Sequence, residues 1–177
     1  MTRLALACLA ASILLAQAPA PKADPLAPLL FLSGEWLGTA SGEPGEGTAV
    51  RRYETILKDR FIEEHNTSTY PPQEKNKAGE VHQHQSLFSY DKARKAILFR
   101  QFHQEGFVLT YALNPVLSTA SRLVFDSEQL ENVPSTWKAR ETYVLISQDE
   151  FTETFEIAQP DKPFAVYSRN HFNRRKR

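Results

Sequence analysis

The sequence predicts an all-β chain closed into a single antiparallel up-and-down barrel of about ten strands. Three observations point there. From Gly34 onward, alternating polar and apolar residues and runs of β-branched or aromatic residues recur with little sign of a helical period. The links between these runs are mostly short and rich in turn-forming residues, so consecutive strands are expected to be antiparallel neighbours in a meander. Many short antiparallel strands in one domain must stack as two sheets or curl shut, and closure removes the exposed edges that invite aggregation.

The elements follow in order. Residues 1–23 read as a signal peptide and short linker: Arg3 precedes an apolar run through Ala16, and the small residues AQAPA follow. The run is too short for a permanent anchor, since a spanning helix needs about 20 apolar residues. A secreted or periplasmic protein without stable membrane insertion is expected. The only cysteine, Cys8, lies in this leader, so the exported chain would carry no thiol. Residues 24–177 form the barrel domain. Asp24–Leu32, DPLAPLLFL, is expected to make one turn of helix plugging one end.

The strands are expected at Glu35–Ser41, Thr48–Ile56, Arg60–Thr69, Val81–Tyr90, Ala96–Gln104, Phe107–Leu113, Ser121–Asp126, Lys138–Ser147, Glu150–Ala158 and Phe164–Phe172. Turns fall at EPGEG, LKDR, DKARK, QEG and QPDKP, where residues that bend the chain cluster. The two longer polar links, Pro71–Glu80 and Glu128–Trp137, are expected to flank an opening. Trp36, in FLSGEWLGTASG, stands between Gly34 and Gly38. An indole covers much area and glycines let backbone come close, so Trp36 is read as the plug of the closed end.

Charge and motifs exclude several functions. Without Arg3, 20 basic residues face 21 acidic ones, which leaves no overall electrostatic footprint for nucleic acid or anionic lipid. The basic ending Asn173–Arg177 reads as a solvated terminus. There is no G-x-S-x-G elbow, and GEPGEG lacks the Gly-Lys-Ser/Thr ending of a phosphate loop. Glu63 and Glu64 are adjacent on a strand and so face opposite sides, one toward solvent and one toward a cavity, in an order the sequence leaves open.

A barrel of this strand number need not fill its interior with side chains, which suits it to hold a small molecule. Along Arg60–Thr69 neither face is cleanly apolar, and a ligand-holding interior tolerates that where a sandwich core would not. His82 and His84 share one face of a strand, and His65 and His103 lie on its neighbours. These imidazoles are either metal ligands or solvent-facing groups on the outer wall, depending on register. Tyr167, Arg169 and His171 share another face by period two. Arg169, Arg52 and Arg140 are candidates to pair with the head of an acidic lipid.

The G-x-W-x-G unit at the entry of the first strand, preceded by the apolar LLFL, resembles the nitrobindin-like haem-binding β-barrel family of the calycin class. The resemblance implies a calycin-like ten-stranded barrel and a histidine near the end of the last strand that ligates ferric haem. The matching position is His171, in YSRNHFNRR, with Tyr167, Arg169 and Trp36 as further cofactor-binding candidates. It also implies haem b as cofactor, nitric oxide binding and isomerisation of peroxynitrite. The chain departs from the pattern after the first strand, where SGEPGEG replaces a Gly-rich run leading to Tyr-Pro. The alternatives are a haem-free carrier of an acidic lipid or other amphipathic ligand, and a structural envelope protein with a packed barrel.

Overall fold

The computed structural model describes residues 24–134 and 136–176. The expected leader, with Cys8, lies outside the described residues. A 3₁₀ helix, Ala27–Leu32, leads into ten strands: β1 Gly34–Gly42, β2 Gly47–Ile56, β3 Phe61–Tyr70, β4 Glu80–Asp91, β5 Ala96–His103, β6 Val108–Leu113, β7 Arg122–Glu131, β8 Lys138–Ser147, β9 Glu150–Ala158 and β10 Ala165–Arg174. Each pairs antiparallel with the next, and β1 pairs with β10 through Gly38 opposite Phe172, closing the barrel. Among the described residues no helix is long and apolar enough to cross a membrane.

The expected strands all form. The largest difference is β7, which runs to Glu131 instead of Asp126. A register shift against β6, between Thr110 and Tyr111, lets the polar stretch beyond Asp126 keep pairing, because hydrogen bonding along the ladder does not require apolar side chains.

One half of the barrel is packed with aromatic rings. Phe88 and Phe99 stack at 4.2 Å between centroids, Phe99 stacks on Tyr111 at 5.2 Å, and Phe125 and Tyr143 meet them edge-on. Leu29 and Leu32 of the 3₁₀ helix are fully buried against this end, as the plug reading expected. Trp36 is fully buried beside them, edge-on to Phe151 at 4.7 Å, and its Nε1 donates to the Leu32 carbonyl at 2.6 Å. That bond satisfies the one polar atom of the indole, so its whole ring area contributes to the core.

The two glycines around Trp36 have separate reasons. Gly34 has φ +117°, a conformation that side-chain-bearing residues rarely adopt. A Cβ on Gly38 would stand 2.6 Å from the Phe172 ring and 2.9 Å from the His171 carbonyl, so a hydrogen is what lets that ring lie flat on β1. Arg174 locks the end from outside: its guanidinium lies 4.2 Å over the Trp36 ring and donates to the carbonyls of Phe31, Ser33 and Gln148.

Candidate functional site in the open half of the barrel

The other half of the barrel is hollow, with a cavity of about 360 Å³. The second long link borders its mouth, as expected, through Val133, Pro134 and Trp137, whereas from the first only Glu80, the opening residue of β4, lines the cavity. Apolar side chains, among them Phe107, Leu109, Leu130, Trp137 and Phe155, make much of its wall, with Glu80, Glu105 and Lys138 toward the mouth and a polar group gathered around Arg51 at the floor. The change from aromatic to polar occurs at one ring, for Arg51 lies 4.6 Å over Phe172 with its guanidinium facing the hollow side.

Arg51 organises the floor. It is 2 % exposed, and its Nη1 and Nη2 donate to the two carboxylate oxygens of Glu153 at 2.5 and 2.6 Å. Its Nε reaches Asn66 Oδ1 at 2.9 Å and Glu64 Oε1 at 3.1 Å, and Nη1 also donates to the Tyr53 hydroxyl at 3.2 Å. This two-pronged pairing suits the planar guanidinium and carboxylate. Asn170 completes the set by donating from Nδ2 to Glu153 Oε2 at 2.7 Å. Burial disfavours the charge on Arg51, but Glu153, Tyr53 and Glu64 more than offset this and hold it firmly protonated. Burial likewise opposes ionisation of Glu64, yet Arg51 and His84 bring its carboxyl down to about 2.

Glu141 behaves in the opposite way. It is buried on the same floor, and burial, then the negative charges of Glu153 and Glu64, push its carboxyl well above the usual range against the pull of Arg51. One guanidinium therefore pairs with Glu64 and Glu153, while Glu141, without a cation of its own, is pushed toward its protonated form.

Three histidines stand at one side of the cavity. β4 turns His82, His84, Ser86 and Phe88 inward, and β5 turns Phe99, Gln101 and His103 inward, with His84 directly opposite His103. The ring centroids form a triangle of 5.1, 5.3 and 5.7 Å. His84 Nε2 lies 3.2 Å from Glu64 Oε1, His82 Nδ1 lies 3.0 Å from Glu105 Oε1, and His103 stacks on Phe107 at 4.1 Å. Burial, then the neighbouring His84 and His82, push His103 down to about 2, so its ring is neutral.

The other histidines lie outside. His65 pairs with Glu63 on the outer wall, which also decides that Glu64 is the inward member of that carboxylate pair. His171 is exposed, and its Nε2 lies 2.8 Å from Glu150 Oε1. Arg169 and His171 do share one face, and that face is the outer one: Asn170 and Phe172 take the inward positions because Phe172 stacks on Phe151 at 4.9 Å and lies on Gly38. A register shift between Val166 and Ser168 brings Tyr167 to the cavity rim, edge-on to Phe155. Trp36 lies in the packed end and does not border the cavity.

The arginines singled out for an acidic head also face outward. Arg52 pairs with Glu54, Arg140 pairs with Asp126 beneath the Phe164 ring, and Arg169 is exposed. Arg51, the inward one, went unread because Ala49-Val50-Arg51-Arg52-Tyr53 shows no apolar contrast between its faces. Glu141 was missed for the same reason, whereas Glu153 was legible, since Phe151, Phe155 and Ile157 share its face while Thr152, Thr154 and Glu156 take the other. His84 could have been paired with His103 only by fixing the length of the Asp91–Lys95 turn.

Among known proteins, the chain is similar in fold to Rv2717c from M. tuberculosis, known from a crystal structure. The two share 13 % sequence identity with a TM-score of 0.62, over 87 % of this chain and 99 % of that one. At this identity the likeness speaks to the barrel alone. No family model matches the chain, and no curated protein sequence matches it.

Proposed function

We propose that this chain is a binding protein that holds a small amphipathic molecule in the open half of its barrel. The observation that carries this reading is the division of the interior: aromatic rings fill one half, while the other keeps a cavity of about 360 Å³ with a largely apolar wall and a polar floor around Arg51. That volume falls within the range of about 300–1,000 Å³ usual for small-ligand sites. The ligand's apolar part would lie against Phe107, Leu130 and Phe155, and its polar end would face Gln101, Glu141 and Asn170. Export through the leader at residues 1–23 is part of the same reading and rests on that segment's sequence.

The floor argues against an anionic head there. Arg51 already pairs with Glu64 and Glu153, so an added carboxylate would compete with two others for one cation. Haem b, which the nitrobindin-like resemblance implies, is a second candidate ligand. What favours it is the presence of imidazoles at the cavity; these are His82, His84 and His103, whereas His171 is on the outer wall. Haem would supply its own iron chemistry, and the chain would contribute an axial nitrogen and the apolar wall.

The test is titration of the purified chain with an anilinonaphthalene dye and, separately, with haemin. Binding should quench Trp137 at the mouth, persist in Trp137→Phe by the probe's own signal, and be lost in Leu130→Trp, which narrows the mouth. Saturable binding that is unchanged in folded Leu130→Trp would place the ligand elsewhere and end the reading. A haemin Soret band that is lost in His103→Ala and kept in His171→Ala supports haem in the cavity; the reverse pattern would return the role to His171.

A further inference from the structure

In their uncharged forms, the forms in which imidazoles bind metals, these three rings cannot satisfy one another by hydrogen bonding alone. Each neutral ring has one N–H and one lone pair. His82 donates from Nδ1 to the Glu105 carboxylate, leaving the lone pair on Nε2, which lies 3.2 Å from His103 Nδ1. His103 must then donate from Nδ1, and its Nε2 is buried without a partner. His84 donates from Nε2 to Glu64, and its Nδ1 is likewise buried without a partner. Buried acceptors left unpaired are uncommon in folded proteins and call for a reason.

We propose that His82, His84 and His103 form a mononuclear site for a divalent transition metal of the zinc class, with an open coordination position on the barrel cavity. One ring nitrogen from each lies within 4.8 Å of the other two. Tetrahedral coordination at about 2.0–2.1 Å puts nitrogens about 3.4 Å apart, so the rings need to draw in by about an ångström or so.

Two further features fit a metal rather than a plain histidine cluster. Glu64 and Glu105 sit behind His84 and His82, the carboxylate–histidine arrangement that fixes the tautomer and raises the basicity of a ligating ring. The donors are all imidazole nitrogens, which suit Zn²⁺, Co²⁺, Ni²⁺ or Cu²⁺ and give Mg²⁺ or Ca²⁺ none of the oxygens they prefer. All three rings border the cavity, so the remaining position would meet whatever occupies it. That last consequence rests on the ligand-binding reading; the three-histidine site itself does not.

The experiment is a Co²⁺ titration of the full chain without an affinity tag, read by visible absorption, with Zn²⁺ competition. One Co²⁺ per chain is expected, displaced by Zn²⁺. His84→Ala and His103→Ala should each weaken binding by at least about tenfold, and Glu105→Gln by about 10–100-fold. His65→Ala, which disrupts the separate outer cluster with Glu54 and Glu63, and His171→Ala should leave it unchanged. Near-UV circular dichroism establishes that each variant keeps its aromatic core. A Zn²⁺-dependent rise in melting temperature, present in the wild type and absent in His103→Gln, is a second readout.

No Co²⁺ band in the folded wild type would overturn the site. So would binding unaffected in His84→Ala and His103→Ala, or abolished instead by His65→Ala or by Glu80→Gln, which would assign the ion to the outer cluster or to Glu80 and Glu105 at the mouth. Dye binding retained without metal binding defeats only the metal site, and metal binding retained without dye binding defeats only the ligand reading.

Discussion

Glu141→Gln should stabilise the protein increasingly as pH rises. The Glu141 carboxyl is 4 % exposed on the cavity floor, where burial and then Glu153 and Glu64 oppose its ionisation. In the unfolded chain it ionises near its ordinary value of 4.5. Between that value and its raised folded value the unfolded state sheds a proton that the native state retains. Native stability therefore falls as pH climbs through this window, by about 1.4 kcal/mol per pH unit. Gln keeps the shape and a donor but has no proton to lose. Its advantage over the wild type should be flat below the unfolded value, rise with that slope above it, and level off once the native carboxyl ionises. Urea unfolding of both proteins at several pH values between 4 and 9 measures the difference, and the levelling point locates the folded value. A difference that does not vary with pH, or one that shrinks as pH rises, would refute the claim that Glu141 stays protonated in the native floor.

Three other outcomes are expected. Arg51→Met leaves Glu64 and Glu153 buried without their cation and should cost about 3–5 kcal/mol in urea unfolding; adding Glu153→Gln should recover part of the loss, and strict additivity would argue against the pairing. Gly38→Ala forces a methyl against the Phe172 ring and the His171 carbonyl, so a loss of about 1–3 kcal/mol in the same assay is expected. His171→Ala removes an exposed pair with Glu150 and should change the unfolding free energy by less than about 1 kcal/mol.

The local parts of this architecture were legible because their causes are local. Alternation with period two, turn residues at the links and the Gly-Glu-Trp-Leu-Gly unit are short-range signals, and they gave the meander, its closure and the plug at Trp36. The plug's two glycines could be noticed in sequence, but their separate reasons, a positive φ at Gly34 and the Phe172 ring against Gly38, belong to the folded chain.

What only the tertiary structure decided is which face of a mixed strand turns inward. In β2, β3 and β10 both faces carry polar side chains, so no apolar contrast sets the phase. It is set instead by rings at the packed end: Phe172 on Phe151 puts Asn170 inside and His171 outside, and the same phasing across β2 and β3 admits Arg51 and Glu64 while turning out Arg52 and Glu63. The turn between β4 and β5 likewise places His84 opposite His103, a pairing of residues far apart in sequence. A slip of one residue would have reversed each of these assignments, which is why strand positions follow from the sequence while the lining of the cavity follows from the packing.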